Sequence, residues 1–157
     1  MLDKELLTKV LKKTISSGGD YAEIFVENKK STIIHLEDSK IEKVVSGVDY
    51  GLGIRLIYDY KSFYAYSNDL SERALLNIAS AVSKSITRKT SDSIIKLITK
   101  YPSVSFDIEM LPEDLPIEKK ISIVRKADAV ARGYDDRVRQ VSIVYNDSIQ
   151  KVQIATT

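Results

Sequence analysis

His35 is the only imidazole in the chain, and cysteine is absent. Those two counts limit the chemistry before any motif is considered. A hydrolytic zinc centre draws on His and carboxylate ligands at fixed spacing, and a structural zinc site on clusters of Cys and His. Neither set can be assembled from these residues. A thiol nucleophile is ruled out, and any serine–histidine pair would have to use His35. His35 sits in Ile33-Ile34-His35-Leu36, facing away from Ile34 and Leu36. A solvent-side strand residue is the favoured reading. The inventory suits a scaffold or binding module better than a complete enzyme.

Other residues invite a functional reading and have a plainer one beside it. Gly51-x-Gly53 lacks the third glycine of a phosphate loop, and an alternating strand follows it where a helix would be needed. A bulge, or the close approach of another backbone, accounts for it better. Arg55 is suited to pairing with a carboxylate in the sheet, the favoured reading, or to holding a peptide carboxylate. Tyr58, Tyr60, Tyr64 and Tyr66 cluster around one hairpin. They fit an exposed patch for a peptide or partner subunit and cross-strand packing equally well. The candidates for substrate binding are therefore Arg55, Tyr64 and Tyr66. Glu37-Asp38 and Glu113-Asp114 are neighbours in turns, an arrangement that rarely makes an acid–base pair. Lys12-Lys13, Lys29-Lys30 and Lys119-Lys120 are scattered and form no basic stripe, which argues against nucleic acid.

The elements that would hold these residues follow from periodicity. Leu2, Leu6, Leu7, Val10, Leu11 and Ile15 recur at helical spacing over residues 2–17. Asp3 is placed to cap the start, and Gly18-Gly19 stops the helix. Alternation then predicts short strands over 21–26, 32–36, 41–48, 49–58 and 63–67, with a bend at Glu27-Asn28-Lys29-Lys30. Short connections make the pairing antiparallel. Asp69 and Glu72 resemble a capping box opening a second helix, which ends near Thr87. Residues 87–116 are irregular, broken by Ser91-Asp92-Ser93 and three prolines, and Ile94–Ile98 fits a strand or a helical turn. A third helix begins at Pro116 with Ile117, Ile121, Val124, Ala127 and Ala131 as its buried stripe, and Gly133 ends it. Two strands joined at Asn146-Asp147-Ser148 close the order as a hairpin. This is an α+β fold: a mainly antiparallel sheet with α-helices packed on one face.

A chain of 157 residues with 43% apolar and 29% charged content is expected to form a single domain, 1–157. The net charge of +2 is too even for a nucleic-acid partner, and no apolar run has the length of a membrane span. No signal-peptide core precedes the first helix, and the lack of cysteine fits a cytoplasmic protein. The abrupt end after a strand suggests part of something longer.

Several segments, taken in order, resemble one known family. They are Gly18-Gly19-Asp20-Tyr21-Ala22-Glu23, Leu36-Glu37-Asp38-Ser39-Lys40-Ile41-Glu42, Asp49-Tyr50-Gly51-Leu52-Gly53-Ile54-Arg55, Phe63-Tyr64-Ala65-Tyr66-Ser67-Asn68-Asp69-Leu70-Ser71 and Arg137-Val138-Arg139-Gln140-Val141-Ser142-Ile143. The set is similar to the N-terminal domain of the TldD/PmbA family, zinc metallopeptidases also described as modulators of DNA gyrase. The resemblance implies a non-catalytic domain. It would line a peptide cleft and support a homo- or hetero-dimer with a TldD/PmbA-like subunit. Proteolysis of unfolded peptides would then reside in a C-terminal domain carrying the zinc ligands, so the resemblance transfers no catalytic or metal residue. It also implies a chain inactive by itself, whose substrate adds to the sheet through main-chain hydrogen bonds. A stand-alone peptide- or protein-binding regulatory module without peptidase activity is the alternative.

Overall fold

In the computed structural model, residues 1–86, 95, 97–102 and 106–157 are described. The element order is α1 (Lys4–Thr14), β1 (Tyr21–Glu37), β2 (Lys40–Tyr58), β3 (Lys61–Ser67), α2 (Glu72–Lys84), a 3-10 turn at Pro112–Asp114, α3 (Ile117–Arg132) and β4 (Ser142–Thr156). The four strands form one sheet in the order β3-β2-β1-β4. Leu52 pairs with Ser67 and Tyr58 with Lys61, so β2 and β3 run antiparallel. Thr157 N donates to Ala22 O and Asp38 N to Val141 O, which makes β1 and β4 antiparallel as well. The α+β class expected from the sequence is the one observed.

Both hairpin turns, Asp38-Ser39 and Asp59-Tyr60, have φ between 46° and 64° at their two central residues. Such primed turns match the right-handed twist of the strands they join. They are made here without glycine. Asp20 Oδ2 accepts a 2.9 Å bond from Asp59 N and braces the second turn.

The chain divides into two compact units, and β1, β2 and β4 contribute residues to both. Unit 1 comprises Met1–Asn28, Asp49–Ser103 and Lys151–Thr157. Its core joins Leu7, Val10 and Leu11 of α1, Ile24 of β1, Ile54 and Leu56 of β2, and Leu75 and Val82 of α2. Burying a side chain of this kind contributes roughly 1.5–3 kcal/mol, so this interior is the main hydrophobic term. Asp3 Oδ1 caps α1 by accepting from Glu5 N and Leu6 N, as its position predicts. The buried Ser83 hydroxyl ties α2 to the end of α1 by accepting from Ser17 N at 3.0 Å.

Unit 2 comprises Lys29–Val48 and Val104–Gln150. Its buried apolar core is small: Ile34, Leu36 and Val124, with Ile41, Ile117, Ile121, Ile143 and Tyr145 packed around them. Polar groups complete the interior. Lys120 is 4% and Asp128 6% exposed, both on the inner side of α3. Lys120 Nζ lies 2.7 Å from Asp147 Oδ2. Tyr145 donates its hydroxyl to the same carboxylate at 2.6 Å. Asp128 accepts from Ser39 Oγ at 2.7 Å and from Arg132 Nε at 3.1 Å, and Arg132 also binds Asp38 at 2.9 Å. These contacts fasten the Asp38-Ser39 turn to α3.

Four expectations need correction. The short strands and the bend at 27–30 are replaced by two long strands of 17 and 19 residues. Strand β1 lies inside the sheet between β2 and β4, so its backbone pairs on both sides whatever the side-chain charge, and Lys30 finds Glu113 at 3.3 Å. The hairpin at Asn146-Asp147-Ser148 is also absent, because β4 runs unbroken from Ser142 to Thr156. There Asn146 and Ser148 face solvent, while Asp147 points inward to Lys120 and Tyr145. The N-cap of α2 is Ser71, accepting from Ala74 N, and Asp69 supports it by accepting from Ser71 N. On α3, Ala127 is exposed and Ala131 half-buried. The true inner stripe is Ile117, Lys120, Ile121, Val124 and Asp128. A second apolar row, Ile123, Ala127, Val130 and Tyr134, faces outward. The helix end placed near Thr87, the turn signal at 91–93 and part of Ile94–Ile98 lie outside the described residues.

Candidate functional site

The residues singled out from the sequence come together on the outer face of the sheet in unit 1. Strand alternation places them there: Ala22, Ile24, Leu52, Ile54 and Leu56 fill the core, so the odd-numbered residues between them turn outward. Arg55 stands opposite Tyr64, and Gly53 opposite Tyr66. Tyr64 is 65% and Tyr66 78% exposed. The hairpin tyrosines are thus divided. Tyr58 packs against the core and Tyr60 projects from the turn into solvent, leaving Tyr64 and Tyr66 as the outward pair.

Arg55 pairs with Glu23 at 3.2 Å, the carboxylate partner favoured from the sequence. Tyr21 donates its hydroxyl to the other oxygen of Glu23 at 2.9 Å. Burial, and then that bond to a carboxylate, push the Tyr21 hydroxyl above its ordinary value. Gly53 makes room for an aromatic ring: a Cβ there would stand 3.0 Å from ring carbons of Tyr64. Gly51 faces the Ser67 carbonyl, where a Cβ would be 3.2 Å away. The Gly51-x-Gly53 pair therefore serves close approach, by a backbone at one position and a ring at the other. Phe25 of β1 and Val152 and Ile154 of β4 are exposed apolar residues of the same unit. Periodicity marked Phe25 as outward. Val152 and Ile154 fall within the last strand expected from alternation, but alternation alone does not say which of its two faces turns outward.

This face exposes aromatic area and one charge-balanced arginine. His35 is exposed, in unit 2, as expected. The paired carboxylates have structural tasks: Asp38 binds Arg132, Glu37 accepts from Gln140 at 2.8 Å, and Glu113 binds Lys30. Among the described residues no three His, Cys, Asp or Glu side chains are grouped to hold a metal ion. The donor set therefore does not fit the zinc that the family resemblance implies. No described helix is long and apolar enough to cross a membrane.

Comparison with known proteins gives this arrangement a family. Residues 22–87 match the model described as PmbA/TldA metallopeptidase domain 1, and residues 111–157 match the PmbA/TldA metallopeptidase central domain. The chain belongs to the TldD/PmbA family. A metalloprotease from Methanocaldococcus jannaschii is 30% identical over 158 residues, covering 96% of this chain and 33% of that protein. A metalloprotease TldD homolog from Haemophilus influenzae is 26% identical, covering 88% of this chain and 29% of its own length. Among solved structures, a protein of Bacteroides thetaiotaomicron described as a candidate modulator of DNA gyrase superposes with a TM-score of 0.72. It has 18% identity, and the match covers 99% of this chain and 37% of that one. TldE from Thermococcus kodakarensis superposes with a TM-score of 0.56 at 14% identity, over 96% of this chain and 35% of TldE. These structures share the TldD/PmbA fold of the chain, which spans about a third of the length of the curated relatives it matches.

Proposed function

We propose that this chain is the N-terminal, non-catalytic part of a TldD/PmbA-like metallopeptidase. It lines the peptide cleft and supports pairing with a TldD/PmbA-like subunit, while a metal centre outside these 157 residues cleaves unfolded peptides. The observation that carries the reading is the pair of matches, to the first and central domains of a metallopeptidase family, in a chain about a third as long as its relatives. The donor inventory agrees with it, since a lone exposed histidine supplies one ligand at most. The outward face of unit 1 supplies the means of contact. Tyr64, Tyr66 and Phe25 offer rigid apolar area, and Arg55 is a ready partner for a carboxylate once Glu23 yields. On this reading Arg55, Tyr64 and Tyr66 bind substrate by shape and charge, with little side-chain selectivity.

The test is reconstitution. The purified chain is assayed on unfolded casein and its zinc measured by elemental analysis, alone and with a full-length TldD/PmbA subunit. A specific complex with that subunit is expected, with proteolysis and zinc confined to it. Casein hydrolysis by the isolated chain would overturn the proposal. Saturable binding of unfolded peptide with no affinity for any family subunit would favour the stand-alone module.

A further inference from the structure

Unit 2 contains a pocket of about 160 Å³, remote in chemistry from the outer face of unit 1. A void of roughly 150 Å³ takes a benzene-sized molecule, so this one has room for a small organic ligand. Its walls come from Thr32, Ser46, Leu115, Ile117, Lys120 and Ile149. Three features define what it would accept.

The first is a buried donor with capacity to spare. Lys120 lines the pocket at 4% exposure. An ammonium carries three N–H donors and no acceptor. Among the described residues its one ion-pair or hydrogen-bond partner is Asp147. A desolvated donor without an acceptor costs about 1–3 kcal/mol, which favours any oxygen brought to it. The second feature is charge balance. Lys120 is closed by Asp147, and Lys30 at the rim by Glu113 at 3.3 Å. A ligand with net charge would lose hydration against walls that sum to zero. The third is the division of the lining. The hydroxyls of Thr32 and Ser46 lie 3.2 Å apart on one side. Leu115, Ile117 and Ile149 give an aliphatic surface for a short tail.

We propose that this pocket is a binding site for small uncharged aliphatic carbonyl compounds, amides above all. The carbonyl oxygen accepts from Lys120 Nζ, the amide N–H groups meet the Thr32 and Ser46 hydroxyls, and a branched tail lies on Ile117 and Ile149. The inference concerns unit 2 alone and stands whether or not the proposed peptidase role does.

The probe is isovaleramide, titrated into the full 157-residue chain with backbone amide NMR as readout. Isovalerate and isopentylamine serve as charged isosteres. Isovaleramide is expected to give saturable shifts at Ser46, Leu115, Ile117 and Ile149, with both isosteres at least tenfold weaker. Lys120→Met should weaken isovaleramide about ten- to hundredfold, the range for a hydrogen bond to a charged group. Because that variant also loses an ion pair, Ser46→Tyr is the second test. It places a ring at the mouth of the pocket from an exposed strand position and should abolish the shifts in a folded chain. Equal or tighter binding of either isostere would overturn the proposal. So would absence of saturable shifts with all three probes, or titrations unchanged by Ser46→Tyr.

Discussion

Replacing Lys120 by Met should cost about 3 kcal/mol of stability, far more than substitution of any other lysine among the described residues. The magnitude follows from burial. The Lys120 and Asp147 side chains keep 6% and 14% of their exposure at an Nζ–Oδ2 distance of 2.7 Å, while the Lys9–Glu72 pair keeps 57% and 52%. Breaking a buried pair leaves an uncompensated carboxylate and typically costs about 3–5 kcal/mol, and the 14% exposure that the Asp147 side chain keeps places this case at the low end. An exposed pair is worth about 0–1 kcal/mol. With a urea dependence of about 2 kcal/mol per molar, the midpoint should fall by about 1.5 M. Urea titrations followed at the amides of Ile34 and Val124 report the loss where it occurs. Lys120→Met combined with Asp147→Leu removes both charges and should return to within about 1 kcal/mol of the parent, because a well-packed apolar pair can replace a buried ionic one. The reasoning is refuted if Lys120→Met shifts the midpoint no more than Lys9→Met does, or if the double variant is as unstable as the single one.

Other expectations are independent of this pair. Tyr60 holds a φ of 60° in a two-residue turn and packs on nothing, so Tyr60→Gly should stabilise the hairpin by about 1 kcal/mol in thermal or urea unfolding. Gly53→Ala should displace the exposed Tyr64 ring at a cost of less than about 1 kcal/mol, and adding Tyr64→Ala should remove that cost. Ser71→Ala removes the acceptor for Ala74 N and should cost about 1 kcal/mol, visible as faster hydrogen exchange in the first turn of α2. Burial, and then its bond to Asp147, push the Tyr145 hydroxyl up to about 12. Its contribution to stability is therefore complete below the ordinary tyrosine value near 10 and is lost as pH rises through about 12. An ultraviolet titration of the phenolates should show a last step near 12 that Tyr145→Phe removes.

The periodic parts of this fold were legible in the sequence. Helices α1, α2 and α3 follow from their apolar spacing, and the core strands of unit 1 from alternation at Ala22-Ile24-Val26 and Leu52-Ile54-Leu56. What misled was polarity used for interior work. Glu27 to Lys30 and Asn146 to Ser148 read as turns because charge and small polar residues prefer solvent. Tertiary partners keep them extended, Glu113 for Lys30 and Lys120 for Asp147. A signal for the second case was present, since Lys120 lies three residues after Ile117 and four before Val124, within the apolar stripe. On the outer face, Arg55 and Tyr64 stand out in the sequence as candidates, but alternation leaves an exposed patch and cross-strand packing equally open for the tyrosine. Their pairing across β2 and β3 rests on the hairpin register. The contribution of β4 was hidden, because nothing local in residues 142–156 declares a strand of that length.

Helix α3 has two apolar rows about a third of a turn apart, at roughly 100° per residue. One row runs through Ile117, Ile121 and Val124, and the other through Ile123, Val130 and Tyr134. Hydropathy by itself would let the cylinder roll until the second row met the sheet. Lys120 gripping Asp147 at one end, and Asp128 with Arg132 gripping the Asp38-Ser39 turn at the other, act as two pins against that rotation. Their directionality, more than their adhesive strength, decides which side of the helix the molecule shows to its surroundings.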